Sequence, residues 1–418
     1  MRIAVARETD SAEDRVGATP ETVRKMKSLG AEVVVEPGAG VKSGFPDTEY
    51  TTAGATIVKD AVKDADVVLK VRRPGALEVG LYKPGALVIA IMDPFGNESA
   101  LQALAGAGIV AFAMELMPRI TRAQSMDVLS SQANLAGYRA VIDGAAEYGR
   151  ALPMMMTAAG TVPAAKVFIM GAGVAGLQAI ATARRLGAVV TATDVRPAAK
   201  EQVESLGAKF IAVEDEEFKQ AETAAGYAKE MSKDYQAKQA ALVAEHIKKQ
   251  DIVVTTALIP GRPAPRLISK EMSKDYQAKQ AALVAEHIKK QDIVVTTALI
   301  PGRPAPRLIS KEMVTSMRPG SVIVDLAVER GGNCELAKPG EVADVNGVKI
   351  VGHLNVPGRL PASASSLYAK NLYNFLETLI DKKEKTLAVK WDDEIVKATM
   401  LTREGAVVHP SFAPKNAA

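Results

Sequence analysis

Between Lys166 and Asp194 the chain reads KVFIM, then Gly171-Ala-Gly173-Val-Ala-Gly176, then LQAIATARRLGA, then VVTAT and an acid. An apolar run, a glycine turn, a helical stretch and a second apolar run form a βαβ unit, and Asp194 lies 18 residues past the last glycine. Few other features restrict a fold so tightly, because the pattern demands parallel strands, a crossover helix and a phosphate-binding turn. Gly171 permits the tight turn. Gly173 lets a pyrophosphate approach the backbone, and Gly176 allows close contact between helix and strand. The helix start at Val174 offers unpaired N–H groups to phosphate. Asp194, with Val195 beside it, is placed to accept both ribose hydroxyls of adenosine. Its charge opposes a 2′-phosphate, which favours NAD(H) over NADP(H), although Arg196 is a cation that could pair with that phosphate.

The N-terminal third has the same alternation. Apolar runs at Ile3–Ala6, Glu32–Val35, Asp66–Val71, Ala86–Ile91 and Ile109–Ala113 are separated by helical stretches and predict buried parallel strands. Thr19 and Pro20 mark a helix start. A second series runs through Val167–Met170, Val189–Thr193, Phe210–Val213, Ile252–Thr256, Ile293–Thr297, Val322–Leu326 and Ile350–Val351. A helix at Ser130–Arg150 bridges the two series. After Pro357 a further helix aligns Tyr368, Leu372, Phe375, Leu376, Leu379 and Ile380 on one face. The expectation is an α/β protein with two Rossmann-like doubly wound domains and a cleft between them. One domain comprises residues 1–131 plus 357–418, and the other, carrying the dinucleotide, residues 132–356.

Composition narrows the function. The 52 basic and 48 acidic residues are interspersed, which argues against a nucleic-acid partner. Cys334 is the one cysteine, so there is no intrachain disulfide and no cysteine metal cluster, and no metal site is expected. A reducing cytosol fits. The longest uncharged stretch, Val167 to Ala183, contains three glycines and falls short of the ~20 residues of a membrane-spanning helix. The N-terminus enters a strand directly, with no signal peptide pattern.

Residues 230–270 recur without one change as residues 271–311. Two identical 41-residue copies with nothing similar elsewhere indicate a recent duplication or a sequence-assembly error rather than a solenoid or an old functional repeat. Each copy encodes a helix, a strand and a Pro-rich loop. A sheet with room for one fourth strand predicts that one copy enters it and the other is extruded.

Five segments carry a resemblance: MELMPRITRAQSMDVLSSQANLAGYRAVIDGA from Met114, MMMTAAGTVPAAKV from Met154, GAGVAGLQAIATARRLGAVVTATDVR from Gly171, KEQVESLGAKF from Lys200 and GSVIVDLAVERGGNCELAKPG from Gly320. In these the chain resembles the soluble NAD(H)-binding domain of proton-translocating nicotinamide nucleotide transhydrogenases and, more distantly, alanine dehydrogenases. The resemblance runs along the whole chain apart from the extra copy. It implies an Arg–Gln–Asp loop against the nicotinamide, formed by Arg119, Gln124 and Asp127, with Ser130 as a further contact. It also implies a loop with Gly226 and Tyr227 that folds over the nucleotide. Leu258, or its duplicate Leu299, approaches the cofactor from the fourth strand. The implied activity is hydride transfer between NAD(H) and NADP(H), of the Si-specific or Re/Si-specific proton-translocating class. NADP(H) and the proton channel lie on membrane-embedded partner subunits. A homodimer is implied, cytoplasmic and held peripherally on the inner face of the cell membrane.

The residues can be weighed without the family. The chain holds one dinucleotide fingerprint, so a second nucleotide must arrive on a partner. Transfer between the C4 atoms of two nicotinamides needs alignment and dryness rather than a base. Alanine dehydrogenase chemistry also moves a proton and needs a base near neutrality. Arg15 and Lys70 match that family's substrate-binding residues. The end of the Ala86–Ile91 run, however, reads Ala90-Ile-Met-Asp-Pro-Phe, with no histidine, and Glu329 is followed by Arg330, another departure. A redox-sensing NAD-binding module is the non-enzymatic alternative.

Overall fold

The computed structural model describes residues 1–413 apart from 195, 220–231, 233, 236, 237, 240, 241, 243–251, 256–292, 297–310, 317, 318, 321, 327 and 333. The chain divides into two compact units, residues 1–132 with 357–418 and residues 133–356.

Unit 1 is built on strands β1 (Arg2–Val5), β2 (Glu32–Val35), β3 (Thr56–Ile57), β4 (Val67–Arg72), β5 (Leu87–Ile91) and β6 (Val110–Ala113). All pairs are parallel and the order is β3-β2-β1-β4-β5-β6, a doubly wound sheet. Both faces are buried, and alternation divides them. Ile3, Val5, Leu69, Ile89 and Phe112 form one core with the helix Pro20–Ser28 and the C-terminal helix Pro361–Thr378. Ala4, Val68, Val88, Ala90 and Ala111 form the other, against the helix Glu98–Gly106. Thr19 accepts the N–H of Thr22 and Pro20 opens the helix, as its sequence predicts. The stripe on Pro361–Thr378 is core: Tyr368, Leu372, Phe375 and Leu376 are fully buried, and Phe375 meets Phe112 edge-on with ring centroids 5.3 Å apart. Thr402 closes the β6 edge by bonding the Ala111 N–H and the Ile109 carbonyl.

Unit 2 starts within the helix Val128–Glu147, which is followed by a hairpin, β7 (Met155–Thr157) and β8 (Gly160–Val162). Its main sheet contains β9 (Lys166–Met170), β10 (Val189–Thr193), β11 (Lys209–Phe210), β12 (Ile252–Thr255), β13 (Ile293–Thr296), β14 (Val322–Asp325), β15 (Val342–Val345) and β16 (Val348–Val351). The order is β11-β10-β9-β12-β13-β14-β16-β15, parallel except for the β15–β16 hairpin at the edge.

That order corrects the expectation for the repeat. Both copies enter the sheet: β12 pairs with β9, β13 pairs with β14, and the two identical strands pair in register, Ile252 with Ile293 and Val254 with Val295. The reason lies in the sheet being open. A closed barrel has a fixed number of places, but a parallel open sheet gains one strand for each added βα unit. Extrusion would leave an uncharged Ile-Val-Val-Thr edge with unsatisfied N–H and C=O groups. Insertion satisfies both edges.

Candidate functional site

The glycine turn in unit 2 leaves β9 at Met170. Gly171 has φ of 100°, a left-handed conformation open to glycine, and its N–H bonds the Thr193 carbonyl at the end of β10. The helix Val174–Arg185 starts at Gly173 with no side-chain cap. Its first N–H groups therefore have no partner within the helix and suit an anion. A Cβ on Gly173 would meet nothing within 4 Å, so the space over the turn is open to a ligand. Val174 is exposed beside it, and Gly176 is buried beneath it. On the other side, a Cβ on Gly137 would strike the Ala175 carbonyl, so the long helix Val128–Glu147 lies directly against the helix start.

Asp194 follows β10. Its Oδ2 accepts the Ala172 N–H at 2.7 Å, and Oδ1 accepts the Arg196 N–H at 2.9 Å. The Arg196 guanidinium lies on the same carboxylate, at 3.0 and 3.1 Å. The acid expected to read the ribose is thus fixed to the glycine turn, and the cation expected to compete with it is its ion-pair partner. These residues fit a dinucleotide without a 2′-phosphate. Val195, Gly226, Tyr227, Leu258 and Leu299 lie outside the described residues.

Arg119, Gln124, Asp127 and Ser130 belong to unit 1. Gln124 rides on the short 3-10 helix Thr121–Met126, which is pinned by buried Ala123 and Met126. The C-terminal helix holds that segment from behind, through Asn371 and Asn374 Nδ2 donating to the Ser125 carbonyl at 2.8 and 3.0 Å. Arg122 forks onto Asp393 at 2.7 and 3.1 Å. Arg119 and Gln124 are exposed. The Asp127 carboxylate accepts both the N–H and the hydroxyl of Ser130, at 2.9 and 2.5 Å, and so caps the helix Val128–Glu147.

Sequence reasoning missed a buried ionic network in unit 1. Arg15 is held by Glu13 at 2.7 Å through both Nε and Nη2, and its Nη1 donates to Gln132 Oε1 at 2.8 Å. Lys70, fully buried, bonds Glu78 at 2.8 Å and lies 3.7 Å from Glu8. Glu8 accepts the Val71 and Arg72 N–H groups past the middle of β4, and burial pushes its carboxyl up to about 7. Glu115 accepts the Met92 and Asp93 N–H groups after β5 and is raised by burial to about 7 as well. A lysine inside the run Val-Val-Leu-Lys-Val was the one signal of this network, because a buried lysine requires a carboxylate.

Comparison with known proteins agrees with this organisation. The family "Alanine dehydrogenase/PNT, N-terminal domain" matches residues 4–136, and "Alanine dehydrogenase/PNT, C-terminal domain" matches 140–279 and again 273–410. One repeat copy falls in the first of these C-terminal matches and most of the other in the second. An NAD(P) transhydrogenase alpha-subunit polypeptide of Rhodospirillum rubrum is 53% identical over 425 aligned positions, covering 100% of both chains. The crystal structure of transhydrogenase from Sinorhizobium meliloti is 60% identical with a TM-score of 0.79, covering 98% of this chain and 100% of that one. An L-alanine dehydrogenase structure, 23% identical with a TM-score of 0.69, covers 99% of this chain and 98% of its own and shares the fold.

Proposed function

Because the chain belongs to the alanine dehydrogenase/PNT family, we propose that it is the NAD(H)-binding subunit of a proton-translocating transhydrogenase. The observation that carries the reading is the Asp194 carboxylate bonded to the glycine turn beside an uncapped helix start. NAD(H), when bound, supplies or accepts the hydride. The helix start at Val174 binds the pyrophosphate and Asp194 accepts the ribose hydroxyls. Arg119, Gln124, Asp127 and Ser130 orient the nicotinamide end, and Val195, Gly226, Tyr227 and Leu258 or Leu299 complete the cofactor contacts.

The alanine dehydrogenase reading meets two obstacles. Arg15 and Lys70 are already neutralised by Glu13 and Glu78, so neither offers a free positive charge to a substrate carboxylate. β5 ends into Met92 and Asp93 where that chemistry needs a histidine. The second nucleotide, NADP(H), is then held by a partner subunit embedded in the membrane, which also carries the protons. No helix among the described residues is long and apolar enough to cross a membrane. In this reading the chain is held peripherally, on the cytoplasmic face, by that partner. A homodimer accounts for the β7–β8 hairpin, which pairs with no other strand among the described residues and exposes Met154, Met155, Met156 and Val162. Such ribbons are marginal alone in water.

The test mixes the protein with NADH and a partner domain loaded with an NADP analogue. Rapid reduction of the analogue is expected, with no NADH oxidation by pyruvate and ammonia. Amination of pyruvate at the expense of NADH, with no hydride transfer to the NADP analogue, would reverse the assignment.

A further inference from the structure

The two sheets share a detail that their sequences hide. In unit 2, β9 and β10 end level at Met170 and Thr193. The next residue after β10, Asp194, accepts the N–H of the second residue after β9, Ala172. In unit 1, β1 and β2 end level at Val5 and Val35. The next residue after β2, Glu36, accepts the N–H of the second residue after β1, Arg7, at 2.8 Å. Glu36 therefore occupies in unit 1 the place that Asp194 occupies in unit 2.

A recess of about 120 Å3 lies at this point and is lined by Ala6, Arg7, Thr9, Glu36, Glu78 and Tyr82. That is below the roughly 300–1,000 Å3 of pockets that enclose a whole ligand, so only one polar edge of a ligand enters it. Tyr82 is only 5% exposed, yet its hydroxyl has no hydrogen-bond partner. A buried hydroxyl without a partner is costly and asks for one. Burial, and then the charges of Glu78, Glu8 and Glu36, keep its proton on, so the hydroxyl is a donor. Glu36 uses one oxygen on Arg7 and leaves the other as an acceptor. Leu81, 55% exposed, forms an apolar lip on the same recess.

We propose that this recess is a second ligand site, taking the vicinal diol of a ribonucleoside between Glu36 and Tyr82 with the base against Leu81. One diol oxygen accepts from Tyr82 while a diol hydroxyl donates to Glu36. Phosphate is disfavoured for two reasons. The loop after β1 reads Ala-Arg-Glu-Thr, with no glycine turn to cradle it, and the lining acids outnumber Arg7. The site therefore takes a nucleoside rather than a nucleotide, which separates it from the unit 2 turn.

Adenosine is the probe, measured by equilibrium dialysis against the full chain saturated with NADH, with NADH binding followed separately by fluorescence. One further equivalent of adenosine is expected. 2′-Deoxyadenosine and AMP bind at least about tenfold more weakly, and Tyr82→Phe weakens adenosine by a similar factor without moving NADH affinity and without lowering the melting temperature of the free protein. No adenosine binding, equal binding by the deoxynucleoside, or an unaffected Tyr82→Phe would overturn the proposal. Free ribose binding as tightly as adenosine would overturn the nucleoside assignment. Failure of NADH to bind tells against the dinucleotide reading alone, and adenosine binding lost in Tyr82→Phe still identifies the recess.

Discussion

In the proposed reading, Asp194 and Arg196 set cofactor choice as a pair. With the carboxylate present, the guanidinium is held at 3.0 and 3.1 Å and a 2′-phosphate would meet negative charge. Asp194→Ala removes that charge and releases a cation. The preference for NADH over NADPH should narrow by about a factor of ten or more, ~1.4 kcal/mol, in titrations of both nucleotides. Equal affinities in the unaltered protein would refute the role given to Asp194. Glu115 makes a different prediction. Its folded value of about 7 lies above the ordinary 4.5, because burial disfavours its charge. A carboxyl raised on folding holds its proton more tightly in the native state. Its contribution is therefore gained as pH falls from about 7 toward 4.5 and lost as pH rises through 7. Glu115→Gln, which keeps one oxygen for the Met92 and Asp93 N–H groups, should raise the melting temperature more at pH 8 than at pH 5. An equal change at both pH values would show that the charge is not the cost.

Among the elements, the strands buried on both faces were legible because continuous apolar runs have few alternatives. Glu32–Val35 and Val189–Thr193 match residue for residue, and the other predicted runs lie within a few residues of a strand. β3 was missed since two residues carry no periodicity. β15 was missed although Asn346-Gly347 between alternating apolar residues is a strong hairpin signal, with φ of 55° and 80° at the two turn positions. Of the candidate site, the glycine turn was legible because its chemistry is local. The network of Glu8, Glu13, Arg15, Lys70 and Glu78 was not, because it joins loops far apart in sequence. Asp127 is a cap in the structure and a nicotinamide contact in the proposed function, and substitutions separate the two. As a helix cap, Asp127 tolerates asparagine and not alanine. Asp127→Ala should cost about 1 kcal/mol of stability, whereas Asp127→Asn should fold normally. If the carboxylate also orients the nicotinamide, Asp127→Asn and Gln124→Asn should still slow hydride transfer far more than they weaken NADH binding. Unchanged transfer rates in both would leave Asp127 a cap and nothing more.

Over the whole molecule, the repeat decides the spacing of unit 2. Neighbouring strands lie about 4.8 Å apart, so each strand between β9 and β14 moves the two apart by that amount and adds a step of twist. With both copies in the sheet, β12 and β13 separate the strand that leads to the glycine turn from the strand that leads to Glu329. Deleting residues 271–311 leaves β12 with the sequence of β13, able to take β14 in the same register that Ile293 and Val322 now share. The first copy keeps its anchors, with the Tyr235 hydroxyl on the Val213 carbonyl at 3.0 Å and Gln239 on the Thr193 hydroxyl at 3.1 Å. The glycine turn and Asp194 lie on the β9–β10 side and are untouched. The deletion protein should therefore fold cooperatively and bind NADH at least as tightly as the full chain. Groups after β14 should come about 4.8 Å nearer the turn, so hydride transfer to a partner-bound NADP analogue should rise. Melting curves, NADH titration and transfer rates on the two proteins side by side are the measurement. Loss of folding or of NADH binding on deletion would mean that the eight-stranded sheet is the smallest that holds, and that neither copy is surplus.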